Sequence, residues 1–300
     1  MTRNPSTLDI YTRFFGLSER PFSLVPNARF VYWSVHHGRA WSILEYGIVT
    51  RAPITLVTGE VGAGKSTLVA HFLSNVPPDL RVGLVANAQS DRGELLHWVL
   101  LALDLAPTAE EGYVQLFGRL QEFLIQEYAA GRRVVLIFDE AQNLSRDSLE
   151  ELRMLTNINS GTDELLQLVL LGQPEMRTTI RHPSLKQFAQ RISASAHLPT
   201  MDAEMVESYI DHRLKVAGAD SKIFTSDAAE LVYTATGGIP RLINQLADQA
   251  MVYAFTSEIR QVDRALVQKV LDEGMFHGVR TLGETELSST VLPLQHPTKN

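Results

Sequence analysis

The sequence contains no cysteine, and this absence excludes disulfide bonds, thiolate metal sites and cysteine nucleophiles. It also lacks any apolar run of the ~20 residues that a membrane-spanning helix requires. Its longest apolar runs, such as Val134–Phe138, are the size of a strand. The first six residues have no apolar segment of the kind found in signal peptides. We therefore expect a cytoplasmic protein with no membrane span of its own, which a partner could still hold peripherally at the inner membrane.

Positive charge is also scarce. The 27 lysine and arginine residues are outnumbered by 34 acidic residues, which gives a formal net charge of −7. This balance argues against a surface coated with basic residues for binding nucleic acid, but it leaves a local basic patch open. Otherwise the composition, with 45% hydrophobic and 20% charged residues, is ordinary for a globular protein. A chain of 300 residues is long enough for about two domains.

The most informative segment that is present is Gly59–Ser66, which fits the pattern G-x-x-x-x-G-K-[ST] of a phosphate-binding P-loop. It follows an apolar run, Ile54–Thr58, that is typical of a buried strand, and it precedes a helical pattern at Thr67–Leu73. Strand, glycine-rich loop and helix in this order are the context that makes the pattern predict a nucleotide site. The alternative is a chance glycine-rich turn.

Each part of this loop has a predicted contact with the nucleotide. The glycines let the backbone approach the phosphates, and the helix amino terminus adds partial positive charge. We expect Lys65 to reach the β- and γ-phosphates and Ser66 to ligate Mg²⁺. The residues predicted to contact the nucleotide are Gly59, Glu60, Val61, Gly62, Ala63, Gly64, Lys65, Ser66 and Thr67.

Hydrophobic patterns divide the chain into four parts. Residues 1–35 form an aromatic-rich leader that we expect to pack on the core, and residues 36–200 alternate strands with helices as a nucleotide-binding domain does. Residues 201–276 show only helical patterns and predict a helical lid domain. Residues 277–300 are rich in serine, threonine and proline and are predicted to be disordered. The predicted strands are Ile54–Thr58, Arg81–Ala86, Val134–Phe138, Leu165–Leu171 and Ile192–Leu198.

Two adjacent carboxylates, Asp139 and Glu140, follow the apolar strand Val134–Phe138. Ligands of α/β proteins bind at the carboxyl ends of parallel strands. We therefore predict that Asp139 holds Mg²⁺ and that Glu140 is the general base for the attacking water. The alternative is a carboxylate pair that only caps the next helix.

Further polar residues follow the fourth predicted strand. Gln173 stands where a side-chain amide can hydrogen-bond the γ-phosphate or orient water, unless it is only a polar turn residue before a proline. Arg177, Arg181 and Arg191 come next, and one of them is predicted to reach a neighbouring subunit's γ-phosphate as an arginine finger. We favour Arg191 because it directly precedes the fifth strand. Solvated surface arginines are the alternative.

Two basic features near predicted helix starts receive different interpretations. In the string Thr236–Asn244 a proline begins a helix and Arg241 lies in its first turn, where a cation is electrostatically unfavourable. A phosphate partner would offset that cost, so Arg241 is predicted to contact the nucleotide. His36 and His37, before the first long helix, are predicted to be ordinary polar residues rather than ligands.

Taken together, these motifs resemble those of an AAA+ ATPase. Finer strings resemble its ExeA/GspA-type branch, the general secretion pathway protein A family. The strings that carry the resemblance are Phe14–Leu17, Pro21–Ser23, Thr58–Gly62, Phe138–Leu144, Leu171–Glu175 and Gly238–Asn244. The similarity covers approximately residues 8–275.

The resemblance implies a fold, cofactors and roles for the matching residues. The implied fold is an α/β P-loop NTPase with a five-stranded parallel sheet of AAA+ type, followed by an all-helical lid domain, and the implied cofactors are ATP and Mg²⁺. The matching positions are Lys65 and Ser66 in Walker A, Asp139 and Glu140 in Walker B, Gln173 at sensor 1, Arg241 at sensor 2 and Arg191 at the arginine finger. Gln173 departs from the asparagine that many AAA+ proteins carry at sensor 1.

The implied activity is Mg²⁺-dependent ATP binding and hydrolysis by a homo-oligomer, with a hexamer as one candidate, since in this superfamily one subunit completes the site of the next. We expect it to drive assembly or remodelling of an envelope secretion or export system. Longer family members continue into a membrane span and a peptidoglycan-binding domain that this sequence does not show, which puts a direct role at the cell wall in doubt. The alternatives are an ATP-dependent DNA-binding helper of transposition and a slow ATP-binding regulatory switch.

Overall fold

The structure, a computed structural model, describes residues 11–25, 27–86, 94–108, 110–161, 163–274, 276 and 278. The strands are β1 Ile54–Gly59, β2 Leu80–Val85, β3 Arg133–Phe138, β4 Asn159–Ser160, β5 Asp163–Glu164, β6 Leu166–Gly172 and β7 Ile192–Leu198. The α-helices are α1 Thr12–Phe15, α2 Val35–Val49, α3 Lys65–Leu73, α4 Leu95–Ala102, α5 Tyr113–Ala129, α6 Arg146–Leu155, α7 Glu175–Ile180, α8 Lys186–Arg191, α9 Ala203–Val216, α10 Ser226–Thr236, α11 Pro240–Thr256 and α12 Arg264–Asp272. None of the helices within these ranges has both the length and the apolar character that crossing a bilayer requires. The predicted disordered tail, 277–300, lies outside the described residues except for Gly278.

Five strands form one parallel sheet in the order β2-β3-β6-β1-β7. Strands β1 and β6 are buried along their whole length, and β3 is buried after its first residue. This is the pattern of parallel strands that are covered on both faces, and it explains why their sequences are continuously apolar. The sheet is followed by the helices α9–α12. The predicted α/β P-loop fold, with five parallel strands and a helical carboxyl-terminal region, is confirmed.

Successive residues of the strands point to opposite faces of the sheet and build two separate cores. On one face, Leu136 and Phe138 of β3 pack in a cluster with apolar residues of α4, α5, α6 and α8. On the other face, Val135 and Ile137 pack with residues of α2 and α3. The P-loop helix α3 is thereby fixed against the sheet from which the P-loop emerges.

A third core belongs to the helices α9–α12, which we call the lid, and residues of the amino-terminal leader form part of it. Tyr11, Phe22 and Phe30 are buried in the same cluster as the apolar residues of α9–α12. The ring of Phe22 meets that of Phe224 edge to face, with 5.9 Å between the centroids. These three leader aromatics therefore pack on the helices α9–α12, whereas Trp33 of the leader packs on Trp41 of α2 and His71 of α3, beside the sheet.

Candidate nucleotide-binding site

The P-loop joins β1 to α3 at the carboxyl edge of the sheet. Gly62 and Gly64 have φ angles of 79° and 104°, in the left-handed region that residues with a Cβ rarely adopt. Within the described part of the chain, the N–H groups of Gly64, Lys65 and Ser66 form no backbone hydrogen bond. Because these donors lie together at the amino end of α3, they fit an anionic ligand such as a phosphate.

The side chain of Lys65 is buried beneath this loop. Its Nζ donates hydrogen bonds to the carbonyl oxygens of Gly59, at 2.7 Å, and Glu60, at 3.0 Å. Burial lowers the pKa of Lys65, while the carboxylates of Glu140 and Asp139 act in the opposite direction. A buried cation whose bonds go to neutral carbonyls fits a phosphate partner, which would supply the missing negative charge.

Ser66 and Asp139 meet at the end of β3, although they are 73 residues apart in sequence. The Ser66 hydroxyl donates to Oδ2 of Asp139 at 2.9 Å, and Oδ1 accepts the backbone N–H of Glu140, also at 2.9 Å. Hydroxyl and carboxylate oxygens are hard ligands of the kind that Mg²⁺ prefers. This pair therefore fits the predicted metal position beside the P-loop.

Glu140 has an uncommon backbone conformation, and two amides bind its carboxylate. Its φ is 53°, which is uncommon for a residue with a side chain and is often found at functional sites. Its Oε2 accepts hydrogen bonds from the side-chain amides of Gln142 and, at 3.4 Å, Gln173. The Oε1 of Gln142 in turn accepts the backbone N–H of Gln173 at 3.0 Å. The sequence analysis gave no role to Gln142, although it lies in the string Phe138–Leu144, two residues after Glu140.

The lid contacts the P-loop at Gly62. The N–H of Arg241, in the first turn of α11, donates to the Gly62 carbonyl oxygen at 3.3 Å. A Cβ placed on Gly62 would lie 2.6 Å from the Cβ of Arg241 and 3.2 Å from the Cγ2 of Ile239. The structure therefore brings Arg241 beside the phosphate-binding loop, and only a glycine at position 62 allows so close an approach.

A cavity of about 160 Å³ lies between the P-loop, the lid and the leader. Sequence reasoning assigned no ligand contact to the leader, yet several of its residues line this cavity. The leader is attached to α9 by Arg213, whose guanidinium donates to the carbonyl oxygens of Pro21 and Ser23. Arg213 also stacks on the ring of Phe30, 4.8 Å from its centroid. The leader residues that line the cavity are Ser23, Leu24, Val25, Asn27 and Phe30.

The three candidate finger arginines occupy different places. Arg191 ends α8 just before β7, and β7 begins by pairing Ile192 with Ile54 at the start of β1. Arg191 thus lies at the amino-terminal ends of the strands, whereas the P-loop lies at their carboxyl-terminal ends. There it forms an ion pair with Glu164, at 2.8 Å, and a hydrogen bond with Asn157. Arg177 and Arg181, on and just after α7, are exposed and have no ion pair within the described part of the chain.

Several comparisons with known proteins bear on this site. The family model of the AAA domain matches residues 49–180, which include the P-loop, Asp139, Glu140 and Gln173. General secretion pathway protein A of Aeromonas hydrophila is 41% identical over 246 residues, which are 82% of this chain and 45% of that protein. The chain therefore spans less than half the length of this relative.

Solved structures share the fold at low sequence identity. The ADP form of the Aeropyrum pernix ORC2 protein matches with a TM-score of 0.64 at 16% identity, over 85% of this chain and 72% of that one. The Aeropyrum pernix ORC1 protein in complex with DNA matches with a TM-score of 0.61 at 17% identity, over 85% and 69%. The AAA domain match, the P-loop fold and the 41% identity agree with one another. The chain contains an AAA domain at residues 49–180, has a P-loop fold, and is a relative of general secretion pathway protein A over 82% of its length.

Proposed function

We propose that this chain binds Mg·ATP at the carboxyl edge of its sheet and hydrolyses it. The observation that carries the proposal is the meeting of three parts at this edge. These are a buried lysine below the P-loop, the bonded pair Ser66 and Asp139, and a carboxylate, Glu140, held by two amides. They supply a phosphate partner, a metal position and a base, which are the parts that phosphoryl transfer to water requires.

The residues divide this work between binding and chemistry. Lys65 and the N–H groups at the start of α3 hold the phosphates, and Arg241 contacts them from the lid. Ser66 and Asp139 would hold Mg²⁺, which would supply positive charge to offset that of the phosphates. Glu140 accepts a proton from the attacking water, and Gln173 keeps that carboxylate and the water in position.

We further propose that the active form is a homo-oligomer in which Arg191 acts on the site of the next subunit. The support is its position, because Arg191 lies at the start of β7, at the amino-terminal ends of the strands and away from the P-loop of its own chain. The ion pair with Glu164 would then be exchanged for a nucleotide contact on assembly. Arg177 and Arg181 are the competing candidates.

The cellular role that we propose is assembly or remodelling of an envelope secretion or export system, from a cytoplasmic position that a partner can bring to the inner membrane. Its support is the 41% identity to a protein named for the general secretion pathway. Because the chain spans 45% of that relative, the partner itself is not specified by the match.

The decisive experiment compares Glu140→Gln with Lys65→Ala. We expect Glu140→Gln to bind Mg·ATP as the wild type does and to lose ~10²–10⁴-fold in turnover, because only the base is removed. Lys65→Ala should lose binding itself. Glu45→Gln, which changes an exposed carboxylate on α2, is the matched control and should retain turnover. Wild-type turnover by Glu140→Gln would refute the assignment of the base.

Mixing experiments test the shared site. Turnover per subunit should rise with protein concentration, and mixing Arg191→Ala with Lys65→Ala should recover activity that neither variant has alone. A rate independent of concentration, with no recovery on mixing, would exclude a shared site. Recovery with Arg177→Ala or Arg181→Ala in place of Arg191→Ala would move the finger to that residue.

A second candidate function is ATP-dependent DNA binding. It is favoured by three exposed cations on and after α7, Arg177, Arg181 and Lys186, which have no ion pair within the described residues of this acidic chain. A DNA-bound structure, that of ORC1, also shares the fold. Labelled duplex should be titrated with ATP-loaded Glu140→Gln protein near physiological salt, because DNA affinity falls steeply with salt. Tight ATP-dependent binding would favour this candidate, and absence of binding together with copurification of inner-membrane components would favour the secretion role.

A further inference from the structure

A buried histidine lies directly beneath the P-loop and is not part of the P-loop pattern. His37, in the first turn of α2, is only 7% exposed. Its Nε2 lies 3.2 Å from the carbonyl oxygen of Ala63, the residue between the two left-handed glycines of the loop. Its Nδ1 lies 2.8 Å from the hydroxyl of Ser34. The ring therefore joins the start of α2 to the centre of the P-loop, 26 residues later.

The hydrogen bonds determine which nitrogen of His37 carries the proton. A carbonyl oxygen can only accept, so Nε2 must be the protonated nitrogen that donates to Ala63. Burial lowers the pKa of His37, so the ring is neutral near pH 7 and Nδ1 accepts from the Ser34 hydroxyl. The same Ser34 oxygen accepts the backbone N–H of His37 at 3.2 Å, which makes Ser34 the amino-terminal cap of α2. Both ring nitrogens are thus satisfied.

The bond to Ala63 also orients the next backbone donor. No peptide bond in the described residues is cis, and in a trans peptide the C=O and N–H groups point in opposite directions. When the Ala63 carbonyl points to His37, the N–H of Gly64 must point away from it. Gly64 lines the cavity between P-loop, lid and leader, and within the described residues its N–H has no backbone acceptor, so a donor that points away from His37 is available to a ligand in that cavity. A Cβ on Gly64 would lie 2.8 Å from Nε2 of His37, which shows how closely the ring supports the loop.

We propose that His37 is a positioning residue for the phosphate-binding loop, which holds the Ala63 carbonyl so that the Gly64 N–H faces the nucleotide. The inference rests on the proposed binding of Mg·ATP. Without this bond, the buried carbonyl would lose its partner and the peptide would be free to rotate, so the site would present one donor fewer to the phosphates. Ser34 acts one step further away, because it selects the tautomer that donates.

The test measures Mg·ATP affinity by calorimetry and, separately, the unfolding midpoint without nucleotide. His37→Phe keeps the volume of a ring but removes the donor. His37→Gln places an amide N–H near the position of Nε2, whereas the amide of His37→Asn is one methylene too short to reach Ala63. His36→Phe, at the preceding position of α2, is the control. We expect the Kd for Mg·ATP to rise roughly tenfold in His37→Phe and His37→Asn, because each leaves one buried acceptor unsatisfied. In His37→Gln the Kd should stay within about threefold of the wild-type value, because the donor is restored.

Two results would overturn the proposal. In the first, His37→Phe and His37→Asn lower the unfolding midpoint but bind Mg·ATP like the wild type, which would make His37 a packing residue. In the second, His37→Gln loses as much affinity as His37→Phe, which would exclude the donor as the cause. Measurements on wild-type protein and Lys65→Ala distinguish failure of the His37 proposal from failure of the proposed nucleotide binding. If wild-type protein and Lys65→Ala both fail to bind Mg·ATP, the nucleotide site and the role of His37 are refuted together, whereas normal wild-type binding with unchanged His37 variants refutes only the latter.

Discussion

The sheet region and the helical lid build the candidate site in different ways. On the sheet side, the P-loop and the Asp139–Glu140 pair are short stretches that directly follow β1 and β3. On the lid side, the contacts join residues that are far apart along the chain. The Arg213 guanidinium bonds to Pro21, 192 residues earlier, and the Tyr11 hydroxyl bonds to Asp248, 237 residues later.

This difference indicates which property, turnover or stability, a substitution in each region should change first. On the sheet side, Lys65 is buried, but the other candidate side chains, Ser66, Asp139, Glu140 and Gln173, are half-buried or exposed and contribute little to the core. The lid has a core that is incomplete without the leader, so residues that line its side of the cavity also hold the fold together. Substitutions on the sheet side should therefore change turnover, and substitutions on the lid side should first change stability.

The largest expected effect lies on the sheet side. Asp139→Asn should lower turnover ~10²–10³-fold, because it weakens the proposed metal ligand, and a bound metal is worth several kcal/mol of charge stabilisation. The free energy of unfolding should change by no more than ~0.5 kcal/mol, since Asp139 is only partly buried at a strand end. Turnover at varied Mg²⁺ and urea denaturation measure the two quantities. A large loss of stability with little loss of turnover would contradict the comparison.

The next effect lies on the lid side. Arg213→Met should lower the free energy of unfolding by ~2–4 kcal/mol, because it leaves buried carbonyl groups of the leader without donors and removes the contact with Phe30. Arg260→Met is a matched control, since Arg260 also bonds to a leader carbonyl and stacks 4.8 Å from the ring centroid of Phe14, but is exposed.

Urea denaturation distinguishes these two variants. The Arg260→Met control should cost about 1 kcal/mol or less. Equal losses in both variants would mean that burial of Arg213 adds nothing, and that the leader is held to the lid only by surface contacts.

A smaller effect is expected where the two regions meet. Gly62→Ala should destabilise the protein by about 1 kcal/mol more than Gly131→Ala. Both glycines are left-handed, with φ of 79° and 76°, so the backbone strain is matched, but a new Cβ meets Arg241 only at Gly62. Urea denaturation measures the stability of both variants, and calorimetry with Mg·ATP should show weaker binding for Gly62→Ala alone. Equal stability and equal affinity for Mg·ATP in the two variants would show that the contact between Arg241 and Gly62 does not constrain the P-loop.

The smallest effect is a pH dependence that both regions share. Burial lowers the pKa of His37 and His197 on the sheet side and of His212 on the lid. The unfolded chain therefore binds more protons than the folded chain below the ordinary histidine pKa of about 6.5, and the free energy of unfolding should fall as the pH drops through that value. His212→Gln should flatten this dependence, whereas His36→Gln serves as a control. If the pH dependence of the free energy of unfolding is unchanged in His212→Gln, the lid histidine does not contribute to it.

Sequence alone was sufficient for the fold class and for the parts of the site that are continuous in the chain. A P-loop needs its glycines, lysine and serine within eight consecutive residues, and the apolar runs before Gly59 and Asp139 predict buried parallel strands from local pattern. The roles of these residues remain predictions, but their meeting at one sheet edge follows from parallel strands that end together.

Only the tertiary structure decided which distant residues support that site. His37 has the sequence of a capped helix start, and nothing local shows that its other ring nitrogen faces Ala63. Gln142 became relevant only when β3 and β6 paired and brought Gln173 beside it. The leader aromatics indicated burial by their density, but not their partner. The physical reason is common to all three, since hydrogen bonds and packing depend on distance in space, and chain folding sets those distances without leaving a periodic pattern in the sequence.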